Sequence, residues 1–336
     1  MVIACYTEDR WELTLRAISS AQDQSHAADR ILVVVDYNEI LSTRLRVQFD
    51  DIIVLDNYLE RGVSGARNSA VARVETPVVA FLDDDATARG DWLERLVAPF
   101  DNPLVVGTGG AIEPAWEQPP PPWFPPEFAW VVGGTYRGLP TKQEPIRNVW
   151  SGNMAIRRSV FNQVGGFRRG FGKVGGVARP EDTDVCIRMG KVFDGGHWVF
   201  VPDALVDHFV PVHRESIQFF LRRCHNEGRG KIELSSLLGS RDDLGPEREY
   251  IRSVVPRGIR DQLRASLQTR KAEPLVVAGA MLLGLGAAAV GAGEELSRSL
   301  IAQTSSKIRR SKVRGPDLPD AASPPDEPGQ ESGGPR

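Results

Sequence analysis

The sequence predicts an α/β chain built on a mostly parallel sheet with flanking helices, and three observations carry that expectation. Four short β-branched runs, Val2–Cys5, Ile31–Val35, Ile52–Leu55 and Val78–Leu82, read as strands buried on both faces. Helical patterns lie between and after them: Trp11, Leu15 and Ile18 share one face, as do Trp92, Leu93, Leu96, Val97 and Phe100. The two periodicities alternate, which calls for crossover connections and therefore parallel neighbours. Ligands of such sheets bind beyond the carboxyl ends of the strands, so chemistry is sought there.

Asp91 and Glu94 have capping-box spacing for the helix that starts at Trp92. The segment from Pro114-Ala115-Trp116 through Trp123, Phe124, Pro125 and Pro126 is too rich in proline for a helix or a central strand. Its aromatics predict an ordered loop packed on the domain. Sheet-like and helical pieces resume from Asn148 to His208, and beyond Pro211 the chain turns helical and basic. Residues 246–271 carry mixed charge at helical spacing. Leu275–Gly293 has no charge and is about long enough to cross a bilayer, although its alanines and glycines make it weakly hydrophobic. Residues 315–336, rich in Pro, Gly, Ser and acid, are expected to be disordered. The division that follows is a main domain over 1–230, an amphipathic helical extension over 231–271, an apolar helix with a basic flank over 272–314, and a tail.

A net charge of -3 offers no global basic field for nucleic acid. Cys5, Cys186 and Cys224 are odd in number and widely spread, which is neither a disulfide framework nor a zinc site and predicts a reducing compartment. No basic region precedes Val2-Ile3-Ala4, so no leader peptide is expected and the chain reads as starting inside its first strand.

The sharpest chemical signal is Asp83-Asp84-Asp85, delivered at the carboxyl end of the fourth strand. Three adjacent anions repel unless a cation neutralises them, and a divalent metal does so while bridging to a diphosphate. A solvated acidic turn is the bland alternative. Next is Glu181-Asp182-Thr183-Asp184 after Pro180. Acids at a helix start favour its dipole, which accounts for Asp184, while Asp182 is placed to act as general base toward an acceptor hydroxyl. His208, on a loop after a strand-like Trp198–Val201, offers an imidazole nitrogen to the metal, a structural histidine being the competing reading. In Gly62–Asn68 the glycines allow tight turns, and Arg67 presents a donor fork for phosphate or base. Asp36 follows the second strand, where it can accept from a nucleobase NH or simply form a turn. In Trp150–Met154 the small residues around Gly152 and Asn153 let a sugar approach the backbone, and core packing explains Met154 equally well.

These pieces, in this order, resemble the family-two glycosyltransferases over roughly residues 1–230. Val2–Thr7, Val33–Asp36, Arg61–Asn68 and Phe81–Asp85 are similar to the nucleotide-binding half. Ser151–Arg158, Val164–Phe167 and Glu181–Asp184 with Ile187-Arg188 are similar to the acceptor half. The resemblance implies a GT-A fold, a UDP-, GDP- or dTDP-sugar donor, inversion at the anomeric carbon and Mn2+ or Mg2+. It implies that Asp85 binds the metal, that Asp83 lies nearer the ribose or metal with Asp84 on the donor side, and that Asp36 and the Thr7-Glu8 loop touch the base. It further implies Asp182 as the catalytic aspartate, His208 as a metal ligand, and Glu181, Gly152 and Asn153 on the acceptor side. Residues 123–140 resemble a subgroup acting on lipid-linked sugars, including glucuronosyltransferases that use a glucosyl-dolichyl phosphate. Two departures stand out: Arg179-Pro180 replaces the glycine many members carry before the Glu-Asp pair, and no Gln-x-x-Arg-Trp motif of the processive synthases occurs.

The function so implied is transfer of a sugar to a glycan or lipid-linked acceptor, at the cytoplasmic face of the cell membrane. A catalytically silent sugar-nucleotide-binding or membrane scaffold is the alternative from another class. A nucleotidyltransferase shares the sheet and the acidic site, but lacks support from a glycine-rich basic signature at the N-terminus. For Leu275–Gly293 a membrane helix is weighed against a buried helical hairpin, and the flanking basic residues favour a lipid surface.

Overall fold

A computed structural model describes residues 1–174, 177–192, 194–238 and 244–313 of the chain; the expected tail lies outside them. The strands are β1 (Val2–Cys5), β2 (Leu32–Val35), β3 (Ile53–Asp56), β4 (Val78–Asp83), β5 (Ala86–Ala88), β6 (Val105–Trp116), β7 (Glu144–Ile146), β8 (Asn153–Arg157), β9 (Gly172–Val174), β10 (Val177–Arg179) and β11 (His197–Val210). The helices are α1 (Trp11–Gln22), α2 (Glu39–Gln48), α3 (Val63–Val71), α4 (Trp92–Val97), α5 (Arg158–Gln163), α6 (Glu181–Gly190), α7 (Ile217–Leu238), α8 (Gly245–Glu249), α9 (Val255–Thr269) and α10 (Glu273–Val313). Residues Met1–Glu295 form one compact unit, and a second begins at Leu296.

The main sheet runs β3-β2-β1-β4-β8-β6-β11-β5, with β7 beside β11. The four strands read from the sequence, β1 to β4, are mutually parallel. β8 enters antiparallel between β4 and β6, so the sheet is mixed rather than uniformly parallel. The continuous apolar runs follow from burial on both faces. Ile3, Cys5, Val33, Val35 and Leu82 point to one side, against α1, α2 and α4. Val2, Val34, Phe81 and Met154 point to the other, with residues of α3, α5 and α6. Each such side chain contributes about 1.5–3 kcal/mol by leaving water.

Local chemistry sets the helix starts. The Asn38 side chain accepts the Leu41 N–H at 3.0 Å and opens α2. Thr7 caps a short 3-10 turn, Glu8–Arg10, that feeds α1. The capping box foreseen at Asp91 is not formed, because Arg95 Nε draws the Asp91 carboxylate to 2.6 Å at i,i+4 spacing.

Three further expectations are corrected. Pro114–Trp116 belong to β6, where they pair with His208–Val210 of β11. β8 pairs with the other side of β6 only at Gly107–Gly109, so among the described residues no strand flanks Pro114 on that side and its missing N–H costs no ladder bond. Gly62–Asn68 is not a loop: Gly62, at φ 117°, is the N-cap of α3, and Arg67 stands within the helix. His208 lies on β11 rather than on a loop. That strand continues past Pro202 through a register shift between Val201 and Val206, which reads as a break in the sequence.

The aromatic segment packs as expected. Pro126–Val132 forms a 3-10 helix whose Phe128, Val131 and Val132 join Phe220, Val255 and Met281 in a third core. Cys5, Cys186 and Cys224 are free and buried.

Candidate active site

The fourth strand ends at Asp83, and a tight turn through Asp84 and Asp85 leads into β5. β5 pairs antiparallel with β11 so that Ala86 faces His208. This register brings the next carboxylate to the imidazole: Asp85 Oδ1 lies 3.3 Å from His208 Nε2. Residues far apart in sequence thus meet through strand pairing alone.

The three aspartates do not share one environment. Arg67, 3% exposed, donates to Asp83 Oδ1 at 2.6 Å and to Ser151 Oγ at 2.7 Å, and stands 3.7 Å from Glu181 Oε1. Arg10 Nη1 donates to Asp84 Oδ1 at 2.8 Å and lies 3.0 Å from Asp85 Oδ2. The repulsion foreseen for three adjacent anions is therefore offset by two arginines belonging to this chain. Burial, partly countered by Arg10, pushes the Asp84 carboxyl up to about 7. Burial also acts against the Asp85 charge, but the hydrogen bond and charge of His208, with Arg10 and Arg214, outweigh it and hold Asp85 well below the ordinary range.

A cavity of about 1830 Å3 joins these groups to the acceptor motif: Asp36, Asp83, Asp84, Asp85, His208, Gly152, Glu181 and Asp182 all line it. Asp36 stands at the carboxyl end of β2, accepting from Asn57 Nδ2 at 2.7 Å and from the Gly62 N–H at 2.9 Å. Gly152 touches Asp83 so closely that a Cβ there would overlap its carboxylate. Asp182 opens α6; its Oδ1 accepts the Thr183 N–H at 2.6 Å, and its Oδ2 has no hydrogen-bond partner among the described residues. Burial raises the Asp182 carboxyl, opposed by the charge of Lys231, and burial beside Asp182 pushes Glu181 up to about 7.

Several residues singled out in the sequence serve other purposes. Asn153 is fully buried, accepting from Trp92 Nε1 at 2.7 Å and donating to Ala111 O at 2.7 Å and Ala204 O at 2.9 Å. It ties β8 to β6, β11 and α4 and is absent from the cavity wall. Thr7 and Glu8 also stand off the wall, Thr7 as a cap and Glu8 accepting from Asn38 Nδ2 at 3.4 Å. Tyr6 and Arg10, their neighbours, face the cavity instead. The Arg67 fork is taken up by Ser151 and Asp83, so it positions carboxylates from within. Asp184, buried between Arg168 at 3.1 Å and Arg188 at 2.6 Å, is structural as expected.

The cavity wall also carries basic and aromatic residues outside those motifs. Arg214, after β11, faces it near Asp85, and burial lowers its guanidinium from the usual value. Arg222 and Arg223 on α7 read in the sequence either as charge toward a diphosphate or as a basic helix face toward acidic lipid; Arg223 lines the wall while Arg222 stacks over Phe219. On the acceptor side Lys231 pairs with Glu227 at 3.3 Å and Glu247 at 3.0 Å, and Arg147 binds Glu247 at 2.6 Å. Tyr136 stands edge-on to Trp150 and Tyr250, with centroids 6.2 and 5.1 Å away.

The donor set fits a divalent cation. A carboxylate oxygen and an imidazole nitrogen 3.3 Å apart are close to the separation of about 3.0 Å between neighbouring ligands in an octahedral shell. Among the described residues no group of three or more His, Cys, Asp or Glu is arranged around one point. Asp85 and His208 would supply two positions of such a shell, and other oxygen donors would have to fill the rest.

A parallel first half, an antiparallel insertion after it, and carboxylates at their junction define the GT-A architecture. The sequence profile of glycosyl transferase family 2 matches residues 1–165. The chain is 30% identical over 269 residues to a glucosyl-dolichyl phosphate glucuronosyltransferase of Haloferax volcanii, covering 79% of this chain and 85% of that protein. It is 27% identical over 234 residues to the succinoglycan biosynthesis protein ExoM of Rhizobium meliloti, covering 68% of this chain and 72% of the other. The fold is shared with the mannosyltransferase PcManGT of Pyrobaculum calidifontis, solved with GDP-Man and Mn2+, at TM-score 0.55 and 14% identity over 87% and 86% of the two chains. The chain belongs to glycosyl transferase family 2 and is a nucleotide-sugar-dependent glycosyltransferase.

Proposed function

We propose that this enzyme transfers a sugar from a nucleotide diphosphate donor to a hydroxyl of a lipid-linked glycan, with inversion at the anomeric carbon. The observation that carries the reading is the single cavity lined both by Asp85 with His208 and by Asp182. The catalytic unit is residues 1–230, and α8 to α10 complete the acceptor side. The similarity to the glucuronosyltransferase of Haloferax volcanii supports a lipid-linked acceptor. The work site in this reading is the cytoplasmic face of the cell membrane.

Asp36, Tyr6 and Arg10 are assigned to the nucleoside end of the donor, and Asp83 and Asp84 to the ribose and diphosphate. Asp85 and His208 would hold Mn2+ or Mg2+. When bound, the cation supplies Lewis-acid stabilisation of the charge that develops on the diphosphate. Arg214 and Arg223 add positive charge on the same wall, and a well-placed group of this kind is worth about 3–4 kcal/mol in the transition state. Asp182 Oδ2 takes the proton of the acceptor hydroxyl as that oxygen attacks the anomeric carbon opposite the nucleotide. Burial raises the affinity of Asp182 for that proton, and Lys231 keeps the ionised form accessible. Gly152 and Trp150 border the acceptor sugar.

The test measures nucleotide release from UDP-, GDP- and dTDP-sugars with a lipid-linked acceptor, with and without Mn2+. Acceptor-dependent release that Asp182→Asn abolishes supports the reading. Release of inorganic diphosphate would assign a nucleotidyltransferase, and binding without turnover would assign the silent scaffold.

A further inference from the structure

The helix α10 has two apolar faces over the same stretch. One is packed on the domain: Val277, Ala280 and Met281 are buried, and Gly284 abuts the rings of Phe128 and Phe220. Gly228 of α7 meets the backbone of Ala288, and Gly291 meets the backbone of His225, with no room for a Cβ at either glycine. Small residues let the two helices approach this closely, and Glu294–His225 (3.3 Å) and Glu295–Arg229 (3.2 Å) clasp the far end. The opposite face lies open. Leu282, Leu283 and Val290 are each 58% exposed, and Leu275 and Val276 continue the stripe at heptad spacing. Pro274–Gly293 has no charged residue.

The preceding α9 adds the complementary charge. Residues 255–276 carry five basic side chains (Arg257, Arg260, Arg264, Arg270, Lys271) against two acidic ones (Asp261, Glu273), in a chain whose net charge is -3. Leu263 and Leu267 stand exposed among them, Leu267 at 82%. An apolar stripe beside arginines suits the boundary between acyl chains and anionic headgroups. The inner rim of α10 also borders the substrate cavity through Leu285, Ala288 and Ala292.

We propose that the outer face of α10, with the arginines of α9, seats the enzyme on an anionic lipid bilayer, the helix lying in the plane of the interface. Crossing the bilayer would carry the attached α7, with Glu227, Arg229 and Lys231, into hydrocarbon, where charges are strongly disfavoured. In the plane, α10 keeps α7 on its inner side, with Arg229 paired to Glu295, and meets acyl chains on the other. The cavity then opens alongside the membrane, so an amphiphilic acceptor reaches Asp182 without leaving the lipid. This rests on the reading of that cavity as the transfer site.

The experiment is flotation of the full chain with phosphatidylcholine vesicles, with and without phosphatidylglycerol. The wild type is expected to float with the anionic vesicles and to be released by alkaline carbonate. Leu282→Glu with Leu283→Glu should lower partition by at least about tenfold. Arg260→Glu with Arg264→Glu should lower it on anionic vesicles only, as should high salt. Binding of a nucleoside diphosphate by calorimetry is unchanged in both variants, which reports intact folding, and the α9 variant decides alone if the leucine pair misfolds. Equal flotation of the variants, or carbonate resistance of the wild type, overturns the proposal. A dimer that the leucine pair converts to monomer, with no flotation, assigns the face to a second copy and overturns it as well. Absence of nucleotide release with every donor would strike the transferase reading instead and leave flotation untouched.

Discussion

Gly152→Ala tests whether the cavity wall holds Asp83 in place. A Cβ at this position would lie 2.9 Å from Asp83 Cγ and overlap the carboxylate, so the side chain must retreat by about 1 Å to restore ordinary contact. Arg67 cannot follow, because it is 3% exposed and held by Ser151 Oγ at 2.7 Å. The 2.6 Å bond from Arg67 to Asp83 is therefore lost. A hydrogen bond to a charged group is worth about 1.5–3 kcal/mol. The Asp83 side chain is 35% exposed, so solvent screening reduces this to about 1–2 kcal/mol. Thermal unfolding should drop by roughly 2–6 °C. Nucleoside diphosphate affinity, measured by calorimetry, should weaken by about tenfold, the equivalent of 1.4 kcal/mol. Arg67→Met should produce a similar loss, and the double variant should lose little more than either single one, since both break the same bond. Additive losses in the double variant, or an alanine variant equal to wild type in both assays, would refute the wiring from Gly152 through Asp83 to Arg67.

Four further outcomes follow from the geometry. Asp182→Asn keeps a side-chain oxygen for the Thr183 N–H, so folding and donor affinity should persist while kcat falls by about 10²–10⁴, as read from nucleotide release. The acidic limb of kcat/KM should lie above the ordinary aspartate value of 3.8, because burial raises Asp182, and Lys231→Met should move it to higher pH by removing the charge that favours the ionised form. Glu247 is held down at about 2 against its ordinary 4.5; burial alone would raise it, but Lys231 and Arg147 outweigh that. A depressed carboxyl stabilises the fold above its unfolded value, so wild type should lose a few kcal/mol between about pH 4.5 and 2 that Glu247→Gln does not lose, measured as the difference between their unfolding curves. Asn153→Ala strands Trp92 Nε1 and two buried carbonyls, each costing about 1–3 kcal/mol, so melting should fall sharply with donor KM unchanged at temperatures where the variant is folded.

Much of the site was legible because its chemistry is written in consecutive residues. Asp83-Asp84-Asp85 closes an apolar strand, and Glu181-Asp182 opens a helix, so local pattern marks both. Asn153 was misread because a small polar residue between Gly152 and Met154 looks the same whether it faces a sugar or bridges three strands. His208 was expected on a loop because Pro202 and Asp203 resemble a break, whereas β11 absorbs them in a register shift. Arg10 and Arg214 carried no signal at all, since an arginine near a turn acquires a role only when a distant carboxylate comes to face it. The family resemblance assigns Thr7 and Glu8 to the base, whereas Tyr6 and Arg10 on either side of them face the cavity, a difference set by side-chain direction along the loop and its 3-10 turn.

Local pattern was enough to specify the parallel nucleotide half, the carboxylates at its strand ends and the aromatic segment packed on the domain. Burial on both faces and the periodicity of strands and helices are local properties, and they survive without coordinates. Which charges meet emerges in the folded chain: Arg67 with Asp83, Arg10 with Asp84 and Asp85, and Asp85 with His208. The fold also decided that α10 buries one face while leaving the other open. The physical reason is that pairing of charges and covering of faces depend on approaches of a few ångströms between segments far apart in the chain. An antiparallel register or a glycine contact fixes those approaches, and composition does not.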